Sequence, residues 1–239
     1  MARKLLFFPI ALALALAACA EGEAPVGFSG PADLEGWQLS GDARLDTAQD
    51  RAGGGGALRI GPGAKAIRRL RETDGAGTVE FWVYEDGSRP ADPKARRVGP
   101  RWGLLQSDGR VLVAGVLYAP YLAGDASYAV SDSDQKDGWF KVQYLGLPRK
   151  TGWHRWTFQF DPEKGLSILY DGKDVNTPRP RFDWNKTQLR GFCGVAFFGD
   201  QGAANAQTVW IDDLRVTLAG AVQALPTAPP PPPPVVPES

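Results

Sequence analysis

Residues 152–175 read GWHRWTFQFDPEKGLSILYDGKDV, and the fold of the chain is decided in this stretch. Aromatic and polar residues alternate, which places the two kinds on opposite faces of a half-buried strand. One face carries Trp156, Phe158 and Phe160, and the other carries Arg155, Thr157 and Gln159. The turn sequence DPEKG and then the pair Asp171-Gly172 separate short apolar runs, as in consecutive β-hairpins.

The same two-residue period recurs along the chain. It predicts further strands over 78–85, 111–117, 139–145, 192–198 and 209–218. Punctuation by 29 glycines and 20 prolines favours many short strands joined by turns. Such a pattern is typical of a β-sandwich or β-barrel. With no internal repeat or change of composition, we expect one domain over 28–219.

Several segments resemble the laminin-G-like, or concanavalin A-like, jelly roll. The similar segments are 53–60 (GGGGALRI), 78–86 (TVEFWVYED), 152–175 and 209–216 (VWIDDLRV). The resemblance implies an all-β, two-sheet antiparallel jelly-roll sandwich. Residues 86–138 fit the pattern poorly and are interpreted as loop elaboration. The fold implies no single function, because it serves lectins, hydrolases, lyases and adhesion modules.

The N-terminus resembles the signal peptide of a bacterial lipoprotein. Arg3 and Lys4 precede a short apolar stretch that ends in Leu16-Ala17-Ala18-Cys19. We expect residues 1–18 to be removed, Cys19 to be acylated and inserted in a lipid bilayer, and 20–27 to form a linker. Ala20 occupies the position where an aspartate signals inner-membrane retention, so the resemblance implies the outer membrane. The alternative is an ordinary signal peptide with an incidental cysteine.

Residues 220–239 contain six consecutive prolines, Pro229 to Pro234. Proline cannot enter a helix or the interior of a sheet, so this segment is predicted to be an extended, disordered tail. Two interpretations stay open: a passive tail and a docking segment for a protein partner.

Overall composition excludes several function classes. Positive and negative residues balance at 27 each, whereas nucleic-acid binding requires a basic excess or stripe, so no nucleic-acid partner is expected. His154 is the single histidine, which excludes a metal site built on several histidines. Cys193 lies within GFCGVAFF and is interpreted as a small apolar core residue.

Glu80 and Glu85 in TVEFWVYE raise the question of a catalytic carboxylate pair. Glycosidases need two carboxyl groups on one cleft. Residues five apart on a strand point to opposite faces, so the stretch is interpreted as scaffold and no catalytic residue is assigned. Glu80 is kept as a lone ligand-binding candidate.

The stretch Ser131 to Gly138 is acidic, and it resembles a calcium-binding loop. Asp132, Asp134 and Asp137 supply the oxygen ligands that Ca²⁺ prefers. A solvated polar turn is the alternative interpretation. Calcium is the single cofactor considered.

Aromatic residues exceed what one core requires, and rings beside polar groups are typical of sugar-binding sites. The candidate ligand-binding residues are Glu80, Trp82, Tyr84, Trp102, Tyr118, Tyr121 and Trp139. The leading hypothesis is a membrane-anchored, non-catalytic carbohydrate-binding or adhesion lipoprotein. The alternatives are a carbohydrate-active enzyme, such as a glycoside hydrolase or lyase, and a structural envelope lipoprotein with a protein partner.

Overall fold

The computed structural model describes most of the chain between Val26 and Ala219. The described residues are 26–51, 53, 55–88, 97–118, 127–134, 143–145, 147, 149–175, 189, 191–202 and 205–219, with the backbone alone at 97, 127, 132–134, 143 and 144. Over these residues the regular secondary structure consists of β-strands and one 3₁₀ turn, Pro31–Leu34, joined by turns and irregular segments. Within the same ranges, no helix has the length and apolar character needed to cross a membrane.

In the described part of the chain, the strands form two antiparallel sheets of seven strands each. Sheet 1 has the strand order β1-β4-β13-β6-β7-β8-β9, where β1 is Trp37–Ser40, β4 is Lys65–Thr73, β13 is Phe192–Phe198, β6 is Arg97–Gln106, β7 is Arg110–Tyr118, β8 is Ser127–Asp134 and β9 is Gln143–Tyr144. Sheet 2 has the order β12-β11-β10-β5-β14-β3-β2, where β12 is Lys173–Asp174, β11 is Gly165–Tyr170, β10 is Gly152–Asp161, β5 is Gly77–Glu85, β14 is Val209–Leu218, β3 is Ala57–Ile60 and β2 is Ala43–Asp46.

Non-consecutive strands are neighbours in both sheets. In sheet 2, β5 lies between β10 and β14, and in sheet 1, β13 lies between β4 and β6. These crossovers place the inward residues of the two sheets against each other in one apolar core, as in a β-sandwich. The largest fully buried side chains of this core include Trp102, Trp156, Phe81, Phe158 and Phe197.

Strand positions predicted from alternation are largely confirmed in the second half of the chain. β10 and β11 pair from Trp156 opposite Tyr170 to Asp161 opposite Gly165. The next turn is made by Asp171 and Gly172, whose φ angles of 49° and 80° are the left-handed values that an Asp-Gly hairpin turn requires. Within the predicted strand 139–145, the structure describes β9 at Gln143–Tyr144.

The interpretation of 86–138 as loop elaboration is wrong. β6, β7 and β8 lie within this segment and occupy adjacent positions in sheet 1. Their faces are not divided into apolar and polar, because both sides of β7 are buried. The strand predicted over 111–117 is confirmed as β7, whereas β6 and β8 were not predicted. A strand that is buried on both faces shows little apolar–polar alternation, so the two-residue period is a weak signal for it.

The described residues include the end of the predicted linker. Val26 forms an isolated antiparallel bridge with Leu214, and Phe28 is fully buried beside Trp37 at a ring-centroid distance of 5.7 Å. Domain limits at 28 and 219, the cleaved segment and the tail stay predictions.

Candidate functional site

Central strand β5 separates its side chains cleanly between the two faces of sheet 2. Val79, Phe81, Val83 and Glu85 are buried between the sheets, whereas the intervening residues are partly exposed on the outer face. Glu80 and Glu85 therefore lie on opposite faces, and they do not form a carboxylate pair.

Aromatic side chains from three neighbouring strands meet on this outer face. Trp153 of β10 and Trp210 of β14 are both paired with Tyr84 of β5. The Tyr84 ring lies 5.4 Å from that of Trp153 and 5.7 Å from that of Trp210, both edge to face. Tyr84 and Trp153 are partly exposed and Trp210 is 8% exposed. We call Trp153, Tyr84 and Trp210 the aromatic row.

Trp82 extends the aromatic surface along β5, between Arg155 and Asp212 on the neighbouring strands. The Arg51 guanidinium stacks over the Trp82 ring with its Cζ atom 4.6 Å from the centroid. Arg51 Nε also donates to Asp213 Oδ2 at 2.7 Å. This ion pair and the cation–π contact fix the chain before β3 against the outer face of sheet 2.

A β-bulge interrupts β14 beside Trp82. The pairing register with β5 shifts between Asp212 and Arg215, and Asp213 has a φ of 48°. Asp212 Oδ1 accepts a hydrogen bond from the backbone N–H of Asp213 at 2.8 Å, and Asp212 is 3% exposed. Burial raises the pKa of the Asp212 carboxyl to about 6, against the opposing effect of that hydrogen bond. The two aspartates thus stabilise the loop backbone and the bulge.

Glu80 is held by neutral and positive neighbours. Thr157 Oγ1 donates to Glu80 Oε2 at 3.2 Å, and Arg155 Nη1 lies 3.8 Å from the same oxygen. Arg215 is its cross-strand partner on β14. A carboxylate in these surroundings can accept hydrogen bonds from a ligand hydroxyl.

The outer face continues from Glu80 into a groove of about 590 Å³. Its floor carries Ser167, Gln159, Thr78 and Thr217, which belong to the four neighbouring strands β11, β10, β5 and β14. Thr78 is six residues from Tyr84, a separation of roughly 20 Å along an extended strand. The face therefore presents an aromatic end and a hydroxyl- and amide-lined end on one continuous surface.

Glu85 belongs to a polar network inside the sandwich. It accepts hydrogen bonds from Arg149 Nε at 2.8 Å, from Gln207 Nε2 at 2.9 Å and from the hydroxyl of Tyr128. Burial disfavours the charged form of Arg149, but the Glu85 carboxylate outweighs it and raises the Arg149 pKa. For Tyr128, burial and then the Glu85 charge raise the pKa. The network connects β5 and β8 with the segments before β10 and β14.

Two predicted ligand-binding rings are core residues instead. Trp102 is fully buried against Trp156 at 5.4 Å, and Tyr118 is 4% exposed with its hydroxyl 3.0 Å from Gln207 Oε1. Both side chains lie between the sheets, so their assignment to an open ligand surface is wrong. Glu80, Trp82 and Tyr84 lie together on the outer face, and Tyr121 and Trp139 are outside the described residues.

The acidic segment is part of a strand up to Asp134. The backbone of 131–134 is the end of β8, with Asp132 opposite Leu112 and Asp134 opposite Arg110 of β7. This corrects the interpretation of the whole segment as a loop. Asp137 is outside the described residues. Over the described part of the chain, no three His, Cys, Asp or Glu side chains are grouped as metal ligands. Calcium binding at Asp132, Asp134 and Asp137 stays a prediction.

His154 occupies a structural position on the inner face of β10. Its Nδ1 lies 3.0 Å from Asp171 Oδ2 and its Nε2 lies 3.0 Å from the carbonyl oxygen of Lys150. The imidazole stacks on Tyr170 at 5.1 Å. These contacts fix the hairpin turn at Asp171 to the start of β10.

Trp153 and Trp210 are members of the outer face that were not predicted from the sequence. Trp153 shares the odd-numbered positions of Arg155 and Thr157 on β10. Continuing the alternation back to Gly152 would have placed its ring outward. For Trp210, the signal was its position between the inward residues Val209 and Ile211.

Solved structures similar to this chain were found by comparison of coordinates. A carbohydrate esterase, vb_24B_21 of the Shiga toxin-encoding bacteriophage phi24B, is 15% identical with a TM-score of 0.51, over 82% of this chain and 98% of the other. The carbohydrate recognition domain of Emp47p is 14% identical with a TM-score of 0.50, over 77% and 88%. The CBM2 module of the evolved Dit protein of Lactobacillus casei BL23 phage J-1 is 11% identical with a TM-score of 0.50, over 85% and 97%.

The fold is a two-sheet antiparallel jelly roll of the lectin-like type. At these identities the likeness defines the fold alone. No protein-family model matches the sequence, and no curated protein matches it.

Proposed function

We propose that this chain is a non-catalytic carbohydrate-binding lipoprotein of the bacterial envelope, and that a glycan binds across the outer face of sheet 2. The observation that carries the proposal is the aromatic row, in which Trp153, Tyr84 and Trp210 adjoin the half-buried Trp82. Flat rings pack against the apolar faces of sugars, and adjacent polar groups bind the hydroxyls. Three of the similar structures are a carbohydrate esterase, a carbohydrate recognition domain and a CBM2 module, and they support the same ligand class.

The arrangement of polar groups favours an extended glycan. Arg155 and Glu80 follow the aromatic row along the face, and the groove with Gln159 and Thr78 lies beyond them. A face of roughly 20 Å is long enough for several sugar rings in line. The separation of Glu80 from Glu85 supports binding without hydrolysis.

Affinity measurements on a broad glycan panel test the proposal. The mature chain with Cys19→Ser would be compared with Trp82→Ala and Trp153→Ala, each expected to weaken binding at least about tenfold, equivalent to about 1.4 kcal/mol. Leu39→Ala is the matched control, because Leu39 is an exposed apolar residue on edge strand β1 of the other sheet. If the unchanged chain binds no glycan, or if all three variants lose affinity equally, this face is not the binding site.

The panel is run both with calcium and with a chelator. Loss of binding on chelation, reproduced by Asp137→Asn, would support calcium at Asp132, Asp134 and Asp137. Binding that is unchanged by chelation would indicate that the aromatic row binds the glycan without calcium.

A glycoside hydrolase is the second candidate function, because Glu80 and Asp212 project from neighbouring strands to the same face. A carboxyl pKa of about 6 suits a general acid. The burial of Asp212 and its hydrogen bond to Asp213 favour a structural role instead. Release of reducing ends from a bound glycan, abolished by Glu80→Gln and by Asp212→Asn, would establish the hydrolase.

The ends of the chain complete the proposal. Acylated Cys19 anchors the domain in the outer membrane, supported by the lipoprotein-like sequence around it. The proline-rich tail 220–239 is proposed to extend from the end of β14 as a polyproline segment that a protein partner can bind. Cross-linking of the full chain and of a variant ending at 219 tests whether a partner depends on the tail.

A further inference from the structure

The outer face of sheet 1 carries a cationic cluster that the proposed glycan surface does not include. Lys65 of β4, Phe198 of β13 and Arg101 of β6 are paired in one row across three strands. The Lys65 ammonium lies 5.7 Å from the Phe198 ring centroid, and the Arg101 guanidinium carbon lies 5.0 Å from it. Two cations thus share one aromatic ring. We call these three residues the Arg101 cluster.

Arg101 is unusual in being a buried cation with an unused donor. It is 5% exposed, and its Nη1 atom has no hydrogen-bond partner within the described ranges. Burial lowers its pKa to about 10, although the charge of Asp200 partly opposes this. The Asp200 carboxylate oxygens accept the backbone N–H groups of Gly202 and Gln207, at 2.7 and 2.9 Å. Asp200 therefore holds its own loop, and its charge also favours the charged form of Arg101.

Backbone irregularity positions the Arg101 side chain. The register between β6 and β7 shifts between Val98 and Arg101, as at a β-bulge, and bulges commonly re-aim the side chain that follows. Arg101 is paired with Gly115 of β7, where a Cβ atom would lie 2.7 Å from Arg101 Cα and 3.2 Å from Arg101 Cγ. The nearest atom would be the Pro100 carbonyl oxygen, at 2.3 Å, so glycine at 115 allows the β6 backbone at Pro100 and Arg101 to lie close against β7.

Apart from Asp200, the described neighbours of the cluster are mainly apolar. Ile67, Ala196, Leu105 and Val113 form a second buried cluster on this side of sheet 1, together with Phe198. A buried guanidinium is costly unless an anion and hydrogen bonds compensate it. Lys65 adds a second positive charge and is partly exposed, so the cluster has access to solvent on the β4 side.

We propose that the Arg101 cluster binds an oxyanion, a carboxylate or sulfate group, with the Arg101 guanidinium as its principal donor and Lys65 as the second cation. Guanidinium donors bind such groups through charge-assisted hydrogen bonds, and the apolar surroundings strengthen them. The site lies on the sheet opposite the aromatic row and does not depend on the proposed glycan surface.

Thermal unfolding of the full chain, purified in detergent, tests the site with sodium sulfate as the probe. Ionic strength is held constant with sodium chloride. A saturable rise in Tm of roughly 5–10 °C is expected when sulfate reaches about 100 times its Kd. Arg101→Met should abolish the saturable rise, and Lys65→Met should reduce it. Sulfate also stabilises proteins nonspecifically, so the difference between chains, not the rise itself, is diagnostic.

Arg69→Met is the matched control, because it removes the same charge from an exposed position of β4 and should respond to sulfate like the unchanged chain. Arg101→Met should unfold at an equal or higher temperature without sulfate, because it removes a buried charge whose desolvation outweighs the compensating charge of Asp200. Parallel responses of the unchanged chain, Arg101→Met and Arg69→Met would overturn the proposal.

Titration with sodium glucuronate and with glucose identifies the source of the oxyanion. A saturable, Arg101-dependent response to glucuronate but not to glucose supports an acidic saccharide as ligand. An Arg101-dependent response to sulfate alone supports a free inorganic anion. Absence of an Arg101-dependent response to both anions rejects the site.

Discussion

At the scale of single residues, the contrast between two acidic residues on sheet 2 is instructive. Glu85 is buried but has three donors, Arg149, Gln207 and Tyr128. Asp212 is equally inaccessible, yet its pKa is raised because burial outweighs its hydrogen bonding. A buried carboxylate is stabilised by its partners and not by burial itself, so the two residues should respond differently to neutral substitution.

Replacing Glu85 by glutamine should destabilise the domain by about 3 kcal/mol or more, because Arg149 would remain buried without its counter-charge. Free energies of unfolding from urea titration measure the effect. The Arg110–Asp108 pair is the matched control: both side chains are about half exposed, so Asp108→Asn should cost about 1 kcal/mol or less. Adding Arg149→Met to the Glu85 variant should recover part of the loss. If Glu85→Gln and Asp108→Asn lower the free energy of unfolding equally, this account is contradicted.

Asp212→Asn should alter the dependence of stability on pH. The Asp212 pKa is about 6 in the folded chain, against 3.8 for the unfolded reference, so the folded state retains its proton between these values. Stability therefore falls as pH rises from about 4 to 6, and the loss is complete above that range. The asparagine variant lacks this loss. Above pH 6 its free energy of unfolding should therefore exceed that of the unchanged chain by up to about 3 kcal/mol. Urea unfolding at pH 4 and pH 7 measures it; parallel profiles would contradict the assignment.

At the scale of elements, close approach of strands determines where glycine is required. A Cβ atom at Gly103 of β6 would lie 1.9 Å from the carbonyl oxygen of Leu112 and 2.8 Å from the Val113 Cα atom of β7. Both contacts are with backbone, so rotation of a side chain cannot relieve them. Such a position differs from a turn glycine, whose requirement comes from its own φ angle.

Gly103→Ala is therefore expected to separate β6 from β7 and to lower the Tm by at least about 10 °C, or to prevent folding. Gly27→Ala is the control, because a Cβ atom there meets nothing within 4 Å. Circular dichroism during heating provides the measurement. A Gly103 variant as stable as the Gly27 variant would show that the two strands adjust without cost.

At the scale of the whole molecule, the proposed anchor and the proposed glycan surface belong to different parts of the chain. The Val26–Leu214 bridge joins the N-terminal segment to the middle of β14, whereas the aromatic row involves the start of that strand. Cys19→Ser should release the protein from the membrane fraction while preserving its Tm and its glycan affinity. Fractionation with an unchanged control, followed by binding assays, measures both properties. Retention of the serine variant in the membrane would contradict anchoring through Cys19.

Strand alternation in the sequence alone determines much of the fold. Where one face of a strand is buried and the other is solvated, as in β5 and β10, the two-residue period appears directly in the sequence. The Asp171-Gly172 turn could be predicted for a local reason, because its left-handed backbone is available to few residue pairs. The odd spacing of five residues between Glu80 and Glu85 was also enough to place them on opposite faces of the strand.

Only the tertiary structure decided which strands are neighbours and which aromatic rings are core. Trp102 and Tyr118 have the same chemistry as Trp82 and Tyr84, but β6 and β7 direct the first two between the sheets. The aromatic row joins residues 84, 153 and 210, and the Arg101 cluster joins residues 65, 101 and 198, through crossovers between distant segments. Alternation reports the environment of a residue along its own strand, whereas a site depends on pairing across strands, which is a nonlocal property of the fold.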